Sequence, residues 1–248
     1  MVNKNESYLL LILTVCVIVA IIVVCIIRKS RRREKKLRKL NPVAQKDVRG
    51  YSSIGAEYDS PYILDDVMSK SQCLEIMLRS KKNLKPSPTV GGINTKVRNS
   101  EQTWISKSDP FVRNLYNKIS MIVGIPWKNA EDLQIVRYKP GQYYNEHHDA
   151  CCDDQKLCDN FVKNGGQRIL TVLIYLNSEF EGGRTRFPNL GMEFKPLPGS
   201  AVVFSPVASG STICHPLALH AGTPVTSGEK WIANIWFREN ECTSRMQI

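Results

Sequence analysis

Beyond residue 130 the chain breaks into short runs, LQIVRYK, QRILTVLIYLN, SAVVFSP and KWIANIWF, rich in β-branched and aromatic residues and separated by Gly, Pro, Asn and Asp. No long helical stretch lies between them. A doubly wound sheet needs helices alternating with its strands, so this order argues against one. A β-sandwich, jelly roll or barrel remains, supported by helices from earlier in the chain. One such helix is predicted from SDPFVRNLYNKISMIVG, with Asp109 as N-cap, Pro110 at the first helical position and Phe111, Val112, Leu115, Ile119 and Ile122 on one face. Gly124 ends it. A second is expected from the spacing of Leu64, Val67, Cys73, Ile76, Met77 and Leu78, with Ser69 or Ser71 as its cap. Residues 40–60 carry no periodicity and read as linker.

The N-terminal part obeys a different constraint. Residues 8–27, YLLLILTVCVIVAIIVVCII, are twenty positions without a charge or a proline, enough helix to cross roughly 30 Å of hydrocarbon. A transmembrane signal-anchor helix in a lipid bilayer is expected there, since a cleaved leader would have a shorter apolar region. The chain's formal charge of +11 falls to +3 once Arg28, Lys29, Arg31, Arg32, Arg33, Lys35, Lys36, Arg38 and Lys39 are set aside with Glu34. That basic block fits a membrane surface better than a nucleic acid, so no nucleic-acid partner is expected. Its place after the helix puts the rest of the chain on the cytoplasmic side by the positive-inside rule. The expected organisation is a tail at 1–7, the anchor at 8–27, a basic segment and linker at 28–59, one α+β domain at 60–240 and a tail at 241–248.

Cysteines leave the compartment open. Cys73, Cys151, Cys152, Cys158, Cys214 and Cys242 lie outside the apolar run and could form three disulfides. The three between 151 and 158 lack the paired CxxC knuckle of a structural zinc site.

All four histidines, His147, His148, His215 and His220, fall in the β-rich region. In GQYYNEHHDACCDD, His147 and Asp149 are one residue apart, so an extended backbone points both to one face. An imidazole and a carboxylate on one face are two ligands for a divalent metal. A third from a distant strand would complete the facial triad that leaves coordination positions open on non-haem Fe(II). HxD alone does not separate such a site from a polar loop. Lys230, ten residues after His220, adds a cation suited to an anionic co-substrate, although it also suits an exposed sheet edge.

The runs RYKPGQYYNEHHD, GGQRILTVLIYLNSEFEGGRTRFP, GSAVVFSP and LHAGTPVTSGEKWIANIW, with VRNSEQTWI and EDLQIVRY upstream, resemble the prolyl 4-hydroxylase branch of the Fe(II)- and 2-oxoglutarate-dependent dioxygenases. The likeness spans roughly residues 60 to 240 and implies a double-stranded β-helix, or jelly-roll, core. It also implies His147, Asp149 and His220 as iron ligands. Lys230 would pair with the distal carboxylate of 2-oxoglutarate, Tyr138 would hydrogen-bond the same molecule, and Thr171, on the strand lining that pocket, is assigned to cofactor binding with them. Arg168 and Tyr144 match positions beside the peptide, and Trp236 stands near the site as a substrate contact or a core aromatic. His148 and His215 are left as structural or solvent-facing. Glu146 stands where many relatives have proline, and the CCDDQKLCDN loop departs from them in composition.

The implied activity is hydroxylation of proline in a peptide or protein. It consumes O2 and 2-oxoglutarate at Fe(II), releases succinate and CO2, and uses L-ascorbate as reductant. Alternatives are hydroxylation of another residue or of a cytosolic protein, and a membrane-tethered binding module without catalysis. Anchored relatives generally work in the lumen of the endoplasmic reticulum, which conflicts with the charge rule.

Overall fold

A computed structural model of the chain describes residues 51–89, 92–152 and 155–243. The apolar run at 8–27 and the basic block after it lie outside the described residues. No helix among the described ones is long and apolar enough to cross a membrane.

Two antiparallel sheets carry the domain, as a jelly-roll core requires. The larger has seven strands in the order β1 (Tyr62–Leu64), β10 (Ala201–Phe204), β6 (Arg168–Tyr175), β13 (Lys230–Arg238), β4 (Leu133–Tyr138), β3 (Glu101–Ile105) and β2 (Lys85–Pro86). The smaller has the order β5 (Tyr144–His147), β11 (His220–Gly222), β8 (Thr185–Phe187) and β9 (Met192–Phe194). A separate pair joins β12 (Val225–Gly228) to β7 (Phe180–Gly182).

Period-two alternation divides the large sheet into two unlike faces. Ile135, Val172, Ile174, Ala233, Ile235 and Phe237 face a helical layer. Their neighbours Val136, Tyr138, Leu173, Tyr175 and Ile232 face the other way and pack with Phe187 and Phe194 of the small sheet. Tyr138 and Lys230, paired across β4 and β13, lie on this inner face.

The helical layer is α1 (Lys70–Ser80) and α2 (Pro110–Val123). Ser69 caps α1 through a reciprocal box with Gln72. Ile63 and Leu64, expected to lead into that helix, instead form the edge strand β1, because their backbone groups pair with β10. In α2, Asp109 Oδ1 accepts the Phe111 and Val112 amides, and Gly124 closes the helix in the left-handed conformation. Val112, Leu115, Tyr116 and Ile119 are its buried side chains, while Ile122 is half exposed. A third helix, α3 (Gln155–Val162), falls within the β-rich half. Its eight residues are too few for a periodicity signal to outweigh the strands around it.

The helical layer is fastened to the sheet at Gly199, whose carbonyl accepts the Met68 amide at 2.9 Å. Its φ is +88°, and a Cβ there would lie 2.0 Å from the Met68 carbonyl oxygen. Gly199→Ala is expected to lower the unfolding free energy by more than about 2 kcal/mol, from left-handed strain plus backbone displacement. Urea denaturation monitored by far-UV circular dichroism measures it.

Candidate active site

The register of one strand pair builds the centre. β5 and β11 run antiparallel with His220 directly opposite His147. Asp149 follows two residues after His147, just past the strand end. The nearest ligand atoms of these three residues all lie within 4.8 Å of one another. His147 Nε2 is 3.8 Å from Asp149 Oδ1, and His220 Nε2 is 3.8 Å from Oδ2.

Local hydrogen bonds fix what each group offers. His147 Nδ1–H donates to the Asn145 carbonyl at 2.8 Å, and His220 Nδ1–H donates to the Ala218 carbonyl at 3.0 Å. A carbonyl can only accept, so each Nε2 keeps its lone pair for a metal. Burial, reinforced by the neighbouring His220, holds His147 well below the usual imidazole range. Burial opposes ionisation of Asp149, but His220, His147 and Arg168 outweigh it and bring its carboxyl to about 2. At neutral pH the site therefore presents a neutral imidazole at His147 and a carboxylate, the forms that bind metal. Two histidines and one carboxylate on one side of a centre are the donor set of an Fe(II) facial triad.

Behind the triad lies a cavity of about 450 Å³ that includes side chains from the inner face of the large sheet. Lys230, at the start of β13, is cross-strand from Tyr138 on β4. Its ammonium sits 5.3 Å from the Tyr138 ring centre and 4.9 Å from that of Tyr175. Only 2% of Lys230 is exposed, and burial pushes the ammonium down to about 7. Among the described residues no carboxylate forms a salt bridge with it. A buried cation in a cavity beside a metal triad fits a ligand that brings its own carboxylate.

Thr171 lies on β6, whose Leu173 lines the cavity, and its hydroxyl donates to Asp149 Oδ2 at 2.7 Å, so it orients a metal ligand. Arg168 and Tyr144 both line the cavity. Tyr144 stacks on His147 with ring centres 3.5 Å apart, and the Arg98 guanidinium covers its ring at 4.7 Å. Arg168 directs Nε and one terminal nitrogen to Glu131, at 2.7 and 2.8 Å, and the other to the Asp149 carbonyl at 3.2 Å. Its plane lies 3.8 Å from the Trp236 ring centre. Arg168 thus holds the metal loop as well as facing the cavity.

Glu131 was not foreseen. It is fully buried and also accepts from Arg238 at 2.8 Å. Burial opposes its ionisation, and the two guanidiniums overcome that to lower its carboxyl below the usual range. Gln134, Asn234 and Trp236 also line the cavity. Trp236 was expected near the site, and alternation along LQIVRY and KWIANIW could have found Gln134 and Asn234 too, since they share the faces of Tyr138 and Lys230.

Cys151 pairs with Cys158 and Cys152 with Cys214, while Cys73 and Cys242 are buried thiols. Two bridges therefore form among the described residues where three were conceivable. His148 and His215 are absent from the metal cluster. His215 is fully buried, accepts the Leu217 amide at Nδ1 and donates from Nε2 to the Ala56 carbonyl. Glu146 is exposed and pairs with Arg186 at 3.3 Å.

The profile of the 2OG-Fe(II) oxygenase superfamily matches residues 133–238. The chain is 53% identical over 196 residues to an Acanthamoeba polyphaga mimivirus protein named "Putative prolyl 4-hydroxylase", covering 79% of this chain and 81% of that one. It is 33% identical over 199 residues to Prolyl 4-hydroxylase 1 of Arabidopsis thaliana, covering 71% and 68%. Among solved structures it is similar to the viral collagen prolyl hydroxylase of Paramecium Bursaria Chlorella virus-1 in its 2OG complex. That similarity has a TM-score of 0.59 and 33% identity, and covers 73% of this chain and 96% of that one.

The Thr171 contact generates a test. Thr171→Val keeps the side-chain shape and removes the hydrogen bond to Asp149, and it is expected to weaken divalent metal binding about 10- to 100-fold. Titration with Co(II), followed by its visible absorption, measures the change.

Proposed function

Because this chain belongs to the prolyl 4-hydroxylase-like branch of the 2OG-Fe(II) oxygenase superfamily, we propose that it hydroxylates prolyl residues in a peptide or protein, coupled to oxidative decarboxylation of 2-oxoglutarate to succinate and CO2. The observation that carries this reading is the His147–Asp149–His220 cluster opening onto a cavity that holds the buried Lys230, which has no salt bridge among the described residues. A structural metal would have no use for Lys230, which disfavours a purely binding module.

When bound, Fe(II) with 2-oxoglutarate and O2 supplies the oxidising power that inserts oxygen into a C–H bond. The chain's own contribution is position and exclusion of water. His147, Asp149 and His220 would hold the iron from one side and leave the other open. Lys230 would pair with the distal carboxylate of 2-oxoglutarate, with Tyr138 as hydrogen-bonding neighbour. Tyr144 steadies His147, Thr171 steadies Asp149, and Arg168 carries the loop between them. Trp104 and Trp236 wall the cavity, giving the substrate apolar surface in place of solvent. L-Ascorbate would serve as the reductant that keeps the iron ferrous.

The reading extends to location. Residues 8–27 would anchor the domain in a membrane, with the domain on an oxidising side such as the reticulum lumen. Support for that side comes from the Cys151–Cys158 and Cys152–Cys214 bridges, which form and persist in oxidising compartments. The positive-inside count favours the opposite side. Protease resistance of the domain in sealed microsomes is the expected result, and cleavage there would return it to the cytoplasm.

Turnover tests the chemistry. Succinate release should depend on a proline-containing peptide and vanish in His147→Ala, whereas equal release without peptide would refute the coupling. Lys230 adds a pH signature. Its ammonium is largely intact below pH 7 and is lost above it, so binding a dicarboxylate at higher pH must take up a proton. The affinity for 2-oxoglutarate should fall by up to about tenfold per unit between pH 7 and 9. Calorimetry in buffers of differing ionisation enthalpy should show that proton uptake, and a flat profile would remove Lys230 from the role.

A further inference from the structure

The segment 51–59 reads as linker in sequence, yet it lies against the domain as a strap. The Ser52 amide donates to the Cys214 carbonyl at 2.8 Å, and the Ser209 amide donates to the Glu57 carbonyl at 2.9 Å. His215 Nε2 donates to the Ala56 carbonyl at 3.0 Å, and the Tyr58 ring stacks on His215 with centres 4.7 Å apart. The strap thus rests on the stretch from Ser209 to His215.

Its first described residue reaches the active site. Tyr51 packs on a small cluster that includes Ala150, Cys152 and Cys214, and its ring meets His148 at 5.1 Å. Ala150 and His148 are the immediate neighbours of the ligand Asp149. The Cys152–Cys214 bridge ties the surface under the ring to the metal loop. The ring itself is one of the side chains lining the cavity, and it lies outside the 133–238 match.

We propose that Tyr51 is a substrate-binding residue, its ring forming part of the wall against which the peptide lies beside the reacting proline. An aromatic face is the surface on which prolines and apolar side chains of an extended peptide dock. The contacts with His148 and with Cys152 and Cys214 hold that ring in place. This role rests on the prolyl-peptide reading above. It also gives the strap a purpose beyond packing, because the chain leading from the membrane-proximal part then contributes directly to substrate selection.

The test uses the full chain with the peptide (Ala-Pro)5, followed by fluorescence of the cavity tryptophans Trp104 and Trp236 and by steady-state succinate release. Tyr51→Ala should weaken peptide binding and raise the peptide KM about tenfold, with kcat and the KM for 2-oxoglutarate within about twofold of the parent. Tyr51→Phe should restore the parent affinity. Should the alanine variant fail to fold, Tyr51→Leu, which keeps the apolar contact with Cys152 and Cys214, carries the test with the same expected loss. Parent-like peptide affinity in the folded alanine or leucine variant would overturn the role of Tyr51 alone. A parent chain that bound no such peptide would overturn the prolyl reading and this role together.

Discussion

The centre depends on the pairing of β5 with β11. That ladder sets His147 opposite His220, so two ligands 73 positions apart in sequence meet through backbone pairing. A one-residue slip would turn one imidazole to the far face. The small sheet packs Phe187 and Phe194 against the inner face of the large one, and this burial holds the register. The core is thus the support of the metal site as well as the source of stability.

A second layer of support is ionic. Glu131 lies between Arg168 and Arg238, and Arg168 extends to the Asp149 carbonyl. A buried ion cluster of this kind is costly to desolvate and contributes little net stability. Its effect is directional, because the guanidinium plane fixed by Glu131 sets where the metal loop hangs. The polar groups nearest the triad, the donors Thr171 and Arg168 and the two carbonyls that accept from Nδ1, all act on orientation.

Much of the fold was legible because its signals are local. Asp109, Pro110 and Gly124 mark both ends of α2, and turn residues bound the strands on which Lys230 and Tyr138 lie. The HxD spacing put two ligands on one face by geometry and Lys230 stood out as a cation suited to an anionic co-substrate, whereas the roles of His220 and Tyr138 came through resemblance to a family. Contacts that depend on long-range packing stayed hidden. The contact of Thr171 with Asp149 was one of these, because the alternation along β6 gives the face of a side chain and not the neighbour its hydroxyl meets. Glu131 and Arg238 are 107 positions apart, and no local pattern marks them as partners. Residues 51–59 have no periodicity since they pair mainly with a loop.

The adjacent cysteines have a consequence for biogenesis. Four cysteines allow three connectivities, and exchanging the partners of Cys151 and Cys152 moves each sulfur by a single residue. In extended chain that step reverses the side of the backbone from which the sulfur projects. A mispaired molecule could complete its sheets and still carry Asp149 on a twisted loop, so it would be folded by most spectroscopic criteria yet unable to seat iron. The observed pairing, Cys151 with Cys158 and Cys152 with Cys214, is therefore a condition for the course of the Asp149 loop as well as a cross-link of the fold.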